Sequence, residues 1–450
     1  MLTAINYYHQ LIQDDPQSAL RQCDLLEQKF IERNITFAGK PSPFHLRPHM
    51  MSSVVRQNLE NAAHTVLEAS LKAELGLFGG DAEKLYDALF VSENERILLR
   101  VEPGYRERVI WSRLDAFLGA GDDDIKFLEF NNDAPAGIGY SALMAQSFLE
   151  LPIMEEFQTR YRVAAEDARP QLLKALLDTY KVWGGSEHPQ IAIVDWQDVR
   201  TSADFQILQA FFEQSGYRTI ICDPRAVEMR DGKLYHQDFR IDLVYRRVVT
   251  SELLEKFDEC RDFVDAYRTH AACFINTFRC RISENKAFME FLTDPSHLGH
   301  LSADERLALD RYLPWTRHVS ATKTDFHGQE IELGEFIAAN REQFVLKPAD
   351  SYGGKDVYVG TEVEQSVWES AVQAAISQTR WVVQERVATP VEPFPVRVGD
   401  GFEFREMKFN VNPFYLGGVT CGAVTRTSTD AVINVSAGGG SVPSFTVSPK

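Results

Sequence analysis

The chain has 450 residues, 44% hydrophobic and 25% charged, with no low-complexity tract, which is globular composition spread over more than one ordinary core. A formal net charge of -18 argues against nucleic acid or an anionic membrane as the main partner, so any anion site must be built locally. The opening MLTAINYYHQLIQDD lacks a basic segment followed by an apolar core, and no apolar run approaches the roughly 18 residues of a membrane span, so a cytoplasmic location is expected.

Residues 1–76 read as mostly helical, with apolar positions three and four apart in 20–30 and again in 54–77. Between them FAGKPSPFHLRPHM is a proline-broken loop packed on the surface, in which Arg47 could meet a substrate carboxylate. From Ile97 the pattern changes to strands: RILLRVEP, then Val109 to Leu118, and after a turn at Gly119 to Asp124, Ile125 to Asn131. The last two predict an antiparallel hairpin. On it Arg113 and Asp115 share one face of a strand, and Glu129 and Asn131 share one face of the next. Two carboxylates and an amide suit a hard cation such as Mg²⁺ with phosphate oxygens completing the shell; a solvated hairpin face is the alternative.

NDAPAGIGY leads into a helix over 141–148, and helical sequence runs again from Glu155 to Trp183 before GGSEHP breaks the chain. A small α/β unit follows: a strand at 191–196, a helix at 203–215, a strand at 219–223, a hairpin around Asp231-Gly232, and a strand at 241–248. Strand-helix-strand order predicts a parallel pair with a right-handed crossover. Arg246 and Arg247 at a strand end are candidate anion ligands, although paired surface arginines are common. Helical sequence continues to about Leu313, with Lys286 near a helix start. The six cysteines are scattered and include no pair at zinc-knuckle spacing, so they read as buried thiols of a reducing compartment.

FVLKPADSYGGKDVYVG then predicts a hairpin, Phe344 to Pro348 and Val357 to Gly360, whose loop contains Ser351, Tyr352, Gly353, Gly354 and Lys355. Adjacent glycines allow close backbone approach to a ligand, and Lys347 and Lys355 add positive charge, a combination suited to a polyphosphate. A strand follows the loop, so it is neither a Walker loop nor a dinucleotide fingerprint. A helix at 365–377 and the strand RWVVQERV come next. In the tail, Arg426 and Asn434 flank an expected hairpin, and Gly438 to Gly440 mark the end of the core.

A lysine strand, a Gly-rich hairpin, a helix and a strand ending in Gln384 and Glu385 resemble, in that order, the nucleotide lobe of the ATP-grasp family. SRLDAFL and LEFNNDAPAG resemble that family's metal-binding strand pair, yet they stand before the nucleotide lobe. The whole is similar to circularly permuted ATP-grasp proteins such as the synthetase part of glutathionylspermidine synthetase. The loop after Asn131 departs from the family's usual Pro-Gly, and there is no obvious amidase domain. The resemblance implies an α/β fold in five segments: a helical region 1–94, metal-binding strands with following helices 95–183, an α/β substrate-type domain 184–280, a nucleotide lobe 281–395, and the remaining lobe 396–450. It implies an ATP- and Mg²⁺-dependent carboxylate-amine ligase forming an amide through an acyl phosphate. Lys347, Ser351 to Lys355, Gln384, Glu385, Val387 and Lys286 would bind ATP. Asp115, Glu129 and Asn131 would bind one or two Mg²⁺. Arg426 and Arg113 would be catalytic, and Arg47, Arg246, Arg247 and Asn434 are weaker substrate candidates. A phosphotransferase or an inactive nucleotide-binding module are the alternatives.

Overall fold

The structure is a computed structural model that describes residues 1–186, 188–320, 322–350, 354, 356–378, 380–433 and 439–450. Its largest sheet has eight strands. His49–Met51, Gly440–Pro449, Val419–Ser428, Gly401–Leu416, Trp111–Leu118 and Ile125–Asn131 lie side by side in that order. Val391–Val398 pairs with Gly401–Leu416, and Tyr161–Ala164 pairs with Gly440–Pro449. The predicted hairpin of residues 109–131 therefore forms, and it docks directly on strands from the far end of the chain. The helix Ser53–Gly76 covers one face, burying Leu59, Val66 and Leu67 with Leu114, Ala116 and Phe127.

The α/β unit holds a four-stranded, wholly parallel sheet ordered Cys273–Ile275, Leu243–Arg246, Ile191–Val194, Thr219–Cys222. Ile191–Val194 is an unbroken apolar run because both its faces are buried. A second four-stranded sheet, antiparallel, contains Thr316–His318, Trp381–Glu385, Phe344–Pro348 and Tyr358–Val359. The helices Leu333–Ala339 and Gln365–Gln378 pack on it, and the antiparallel pairing of Phe344–Pro348 with Tyr358–Val359 gives the two strands of the predicted lysine hairpin.

Several expectations are corrected. Residues 97–103 do not begin a strand: Glu93–Leu99 is a helix, started by Ser92, whose side chain accepts from the Glu95 N–H, and the cap outweighs β-rich composition. The expected helix 155–183 is interrupted by Tyr161–Ala164, whose strand partner lies near residue 447. The strand at 241–248 is two strands, Phe239–Ile241 and Leu243–Arg246, in different sheets. The helical reading up to Leu313 misses Cys273–Ile275, an edge strand of the parallel sheet. Gly440 does not end the core; it opens a ten-residue strand flanked on both sides. The loop holding Arg47 is not superficial, since residues 46–50 are buried and His49–Met51 joins the large sheet.

Candidate active site

Strand alternation builds the first wall. On Trp111–Leu118, Leu114 and Ala116 face the helix Ser53–Gly76, which turns Arg113, Asp115 and Phe117 into a cleft of about 460 Å³. On the paired strand Asn131 stands opposite Arg113, and Glu129 opposite Asp115. A register shift leaves Leu128 without an opposite residue, and this bulge brings Leu128 and Glu129 to the cleft together.

The facing wall belongs to the antiparallel sheet. Val345, Lys347, Gln384 and Glu385 line it, with Gly354, Lys286 and Val387 at its margins. Lys347 donates from Nζ to Gln384 Oε1 at 2.7 Å. The same amide donates from Nε2 to Thr316 Oγ1 at 3.1 Å and to Leu128 O at 3.4 Å, so Gln384 ties the two walls together. Burial pushes the Lys347 ammonium down to about 8; the nearby Lys286 charge adds to this, and Glu129 and Asp115 oppose it. Lys286 in turn lies 3.5 Å from Glu129 Oε2. His327 Nε2 sits 3.1 Å from Glu385 Oε2.

Arg426 and Asn410 close the far end, opposite one another in the ladder of the two long C-terminal strands. Arg426 donates from Nε to Asn410 Oδ1 at 3.2 Å and from Nη2 to Asp115 Oδ2. Arg113 donates from Nε to Asp115 Oδ1 at 2.9 Å. Burial alone would raise the Asp115 carboxyl, but the Arg113 and Arg426 charges more than offset it and hold it well below the usual range. Two cations against one anion leave this end of the cleft positive.

Eleven residues singled out in the sequence thus meet in one cleft, from segments that are far apart in the chain. Ser351, Tyr352, Gly353, Lys355 and Asn434 lie outside the described residues. Arg47, Arg246 and Arg247 are not in the cleft, because each is buried on an internal partner. Arg47 pairs with Glu392 at 2.7 Å and stacks over Phe394. Arg246 pairs with Asp133 at 2.6 Å, and Arg247 donates to the carbonyls of Ala134 and Pro135. The two arginines therefore pin the loop that follows Asn131. A fourth contact on this loop comes from Arg113 Nη1, 3.1 Å from Ala136 O.

Sequence reasoning missed Asn410, Lys408, Thr316 and His327. Lys408 and Asn410 are two apart on a strand, so alternation could have given their shared face, but only the ladder places that face opposite Arg426. No local signal marks Thr316 or His327.

Among the described residues no group of three or more His, Cys, Asp or Glu side chains gathers as a metal cluster. Glu129 and Asn131 supply oxygen donors beside Asp115, whose carboxylate is already taken by two arginines. Such a sparse, all-oxygen set fits Mg²⁺, which keeps several waters and takes phosphate oxygens, rather than a softer ion in a protein cage.

Sheet order and cleft define a mixed α/β architecture with a parallel sheet region, consistent with an ATP-grasp-like fold. No family model matches the chain, and no curated protein matches it at a significant level. Among solved structures, the chain is similar to a glutathione synthetase-like effector from Globodera pallida, in its apo form: 13% identity, TM-score 0.65, covering 96% of this chain and 98% of that one. A putative gamma-glutamylcysteine synthetase from Methylobacillus flagellatus aligns with TM-score 0.41 and 10% identity over 85% of each chain. At these identities the first likeness establishes the fold. No helix among the described residues is long and apolar enough to cross a membrane.

Proposed function

We propose that this chain is an ATP- and Mg²⁺-dependent carboxylate-amine ligase built on a circularly permuted ATP-grasp arrangement. One observation carries the reading: Arg426, near the end of the chain, meets Asp115 on the early hairpin, 311 residues away, on the wall facing Lys347 and Glu385. A single cut and rejoining of an ordinary ATP-grasp chain would produce that order.

In this reading Lys347, oriented by Gln384, contacts nucleotide phosphates, and Glu385 with the adjoining residues up to Val387 holds the nucleoside. Glu129 and Asn131 would hold Mg²⁺, with Asp115 as a third donor if an arginine releases it; the ion would neutralise phosphate charge. Arg113 and Arg426 stabilise the phosphoryl group in transfer. A carboxylate oxygen of the substrate attacks the γ-phosphorus, the bond to the β–γ bridging oxygen breaks, and ADP leaves. The amine nitrogen then attacks the acyl carbon, loses a proton and expels phosphate. Charge placement on rigid strands, with no protein nucleophile, suits this chemistry.

The test is a matched pair of assays on wild type and Glu129→Ala. Mg-ATP stabilisation is followed by thermal shift, and ADP release is followed against pools of amino acids, small peptides and polyamines. Substrate-dependent ADP and free phosphate, lost in the variant, with an amide seen by mass spectrometry, support the ligase. A phosphorylated product without amide would replace it with a phosphotransferase. Absence of Mg-ATP stabilisation would end the reading.

A further inference from the structure

Three histidines surround a buried ion pair where the N-terminal segment meets the hairpin of Val391–Val398 and Gly401–Leu416. His45, Arg47 and His49 stand at alternate positions of one loop and turn toward the hairpin, whereas Leu46 and Met50 join the apolar core of the N-terminal helices. His9 comes from the first helix, Leu2–Asp14. Each imidazole packs against an aromatic ring of the hairpin: His9 on Phe404, His45 on Phe394 and His49 on Phe409, with ring centres 4.5, 5.5 and 5.0 Å apart. Arg47 lies in the same layer, pairing with Glu392 and donating from Nη2 to Pro393 O at 3.3 Å.

This layer is short of polar partners. Among the described residues, His9 Nε2, His45 Nε2 and His49 Nδ1 are enclosed without a hydrogen-bond partner, and so is Arg47 Nε. A neutral imidazole has one bare acceptor nitrogen to leave unpaired, but an imidazolium would bury a charge and an unmet donor. The charges that face the rings offer little relief. Glu392, already paired with Arg47, is within electrostatic reach of His9 and His49, and His45 faces Arg47 and the Pro395 carbonyl. Tyr8 donates to Leu46 O at 3.1 Å, Cys23 stands near Tyr8, and Asp24 of the second helix is taken by Arg397. Burial, with the Arg47 charge adding to it, pushes all three imidazoles down to about 4, and Glu392 opposes this at His9 and His49.

We infer that His9, His45 and His49 form an acid-sensitive latch, closed while the rings are neutral, that fastens residues 1–51 to the hairpin of residues 391–416. Once released, the rings meet water and accept protons readily, so acid favours the released state. That state binds up to three more protons. Attachment is therefore complete above the ordinary histidine value and is lost as pH falls from there toward 4, with the opening equilibrium growing by up to about tenfold per histidine per pH unit. The effect reaches the cleft. Phe409, which His49 covers, stands between Lys408 and Asn410 on the cleft wall, and the Ser441 N–H loses its 2.8 Å bond to Pro43 O when the loop leaves. The latch is independent of what the cleft binds.

Hydrogen exchange of the full chain, read by mass spectrometry from pH 7.5 to 5 and corrected for the intrinsic rate, tests the latch. Protection in residues 1–14, 42–51 and 391–408 should fall steeply with acid, while the parallel sheet around residues 191–194 keeps its protection. His9→Phe and His49→Phe, which keep an aromatic ring but take no proton, should each make the fall shallower by about tenfold per pH unit. Loss of protection in all regions together, or an unchanged slope in both variants, would overturn the latch. Histidine NMR of the wild type gives a check that needs no variant: three of the eleven imidazoles should stay neutral well below pH 6 for as long as the segment is attached. Ordinary titration of all eleven in the attached state would equally overturn it.

Discussion

Arg426 donates to Asp115 across 311 residues of sequence, and Arg113 holds the other oxygen of the same carboxylate. The three side chains are mostly buried, and removing the anion leaves two guanidinium groups facing each other. Asp115→Asn is expected to cost about 3 kcal/mol of stability, as for other broken buried pairs. Because the Asp115 pKa is depressed in the folded state, its contribution is complete above the unfolded carboxylate value and is lost as pH falls toward the folded one. Urea denaturation of the variant should therefore show both a lower midpoint at neutral pH and a flatter decline into acid.

Lys347 gives a different pH signature. Its ammonium titrates near 8 because burial, aided by Lys286, disfavours the charge. Phosphate contact requires the protonated form, so nucleotide affinity should be constant below that value. Above it, affinity should fall by up to about tenfold per pH unit. Calorimetric titration of Mg-ATP from neutral to alkaline pH checks this, with proton uptake on binding above the break. Lys347→Met should weaken binding throughout and remove the break.

Asn276 locks the early hairpin to the parallel sheet. Its buried side chain accepts from the N–H groups of Ile110 and Trp111 and donates to the carbonyls of Trp111 and Asn132, all at 2.7 to 3.1 Å. Asn276→Ala strands several backbone groups in the interior and is expected to cost about 3 kcal/mol or more. Denaturation gives the loss. Under stabilising conditions the variant should also bind Mg-ATP less tightly, since the wall bearing Arg113 and Asp115 loses its anchor.

Gly360 ends the lysine hairpin, where a Cβ would lie 1.7 Å from the Arg341 carbonyl oxygen. That neighbour is backbone and cannot swing away. Gly360→Ala should destabilise the antiparallel sheet by at least ~2 kcal/mol and abolish the Mg-ATP thermal shift. An unchanged melting temperature would show that the strand can move apart at little cost.

What sequence could reveal tracked the range of the interactions. The hairpin with Arg113, Asp115, Glu129 and Asn131 was legible because alternation and the turn at Gly119 to Asp124 are local, as were the Lys347 hairpin and the strand ending in Glu385. The roles of Arg246 and Arg247 were not, since their partners in the Asp133 to Pro135 loop lie more than a hundred residues away. Tyr161–Ala164 was hidden for the same reason: only Gly440–Pro449 makes it a strand. The bulge at Leu128 leaves no compositional trace, yet it puts Glu129 opposite Asp115. The α/β character of the fold could be read from the chain, whereas the order of strands in the large sheet could not.

The hairpin of Trp111–Leu118 and Ile125–Asn131 borders a strand that starts at Gly401. During synthesis it must wait, with an open edge, while nearly three hundred residues emerge. Contacts so distant in sequence close slowly, and an exposed strand edge in the interval invites pairing with another chain. Newly made protein should therefore be prone to aggregate when synthesis outpaces folding, and slower or cooler production should favour soluble material.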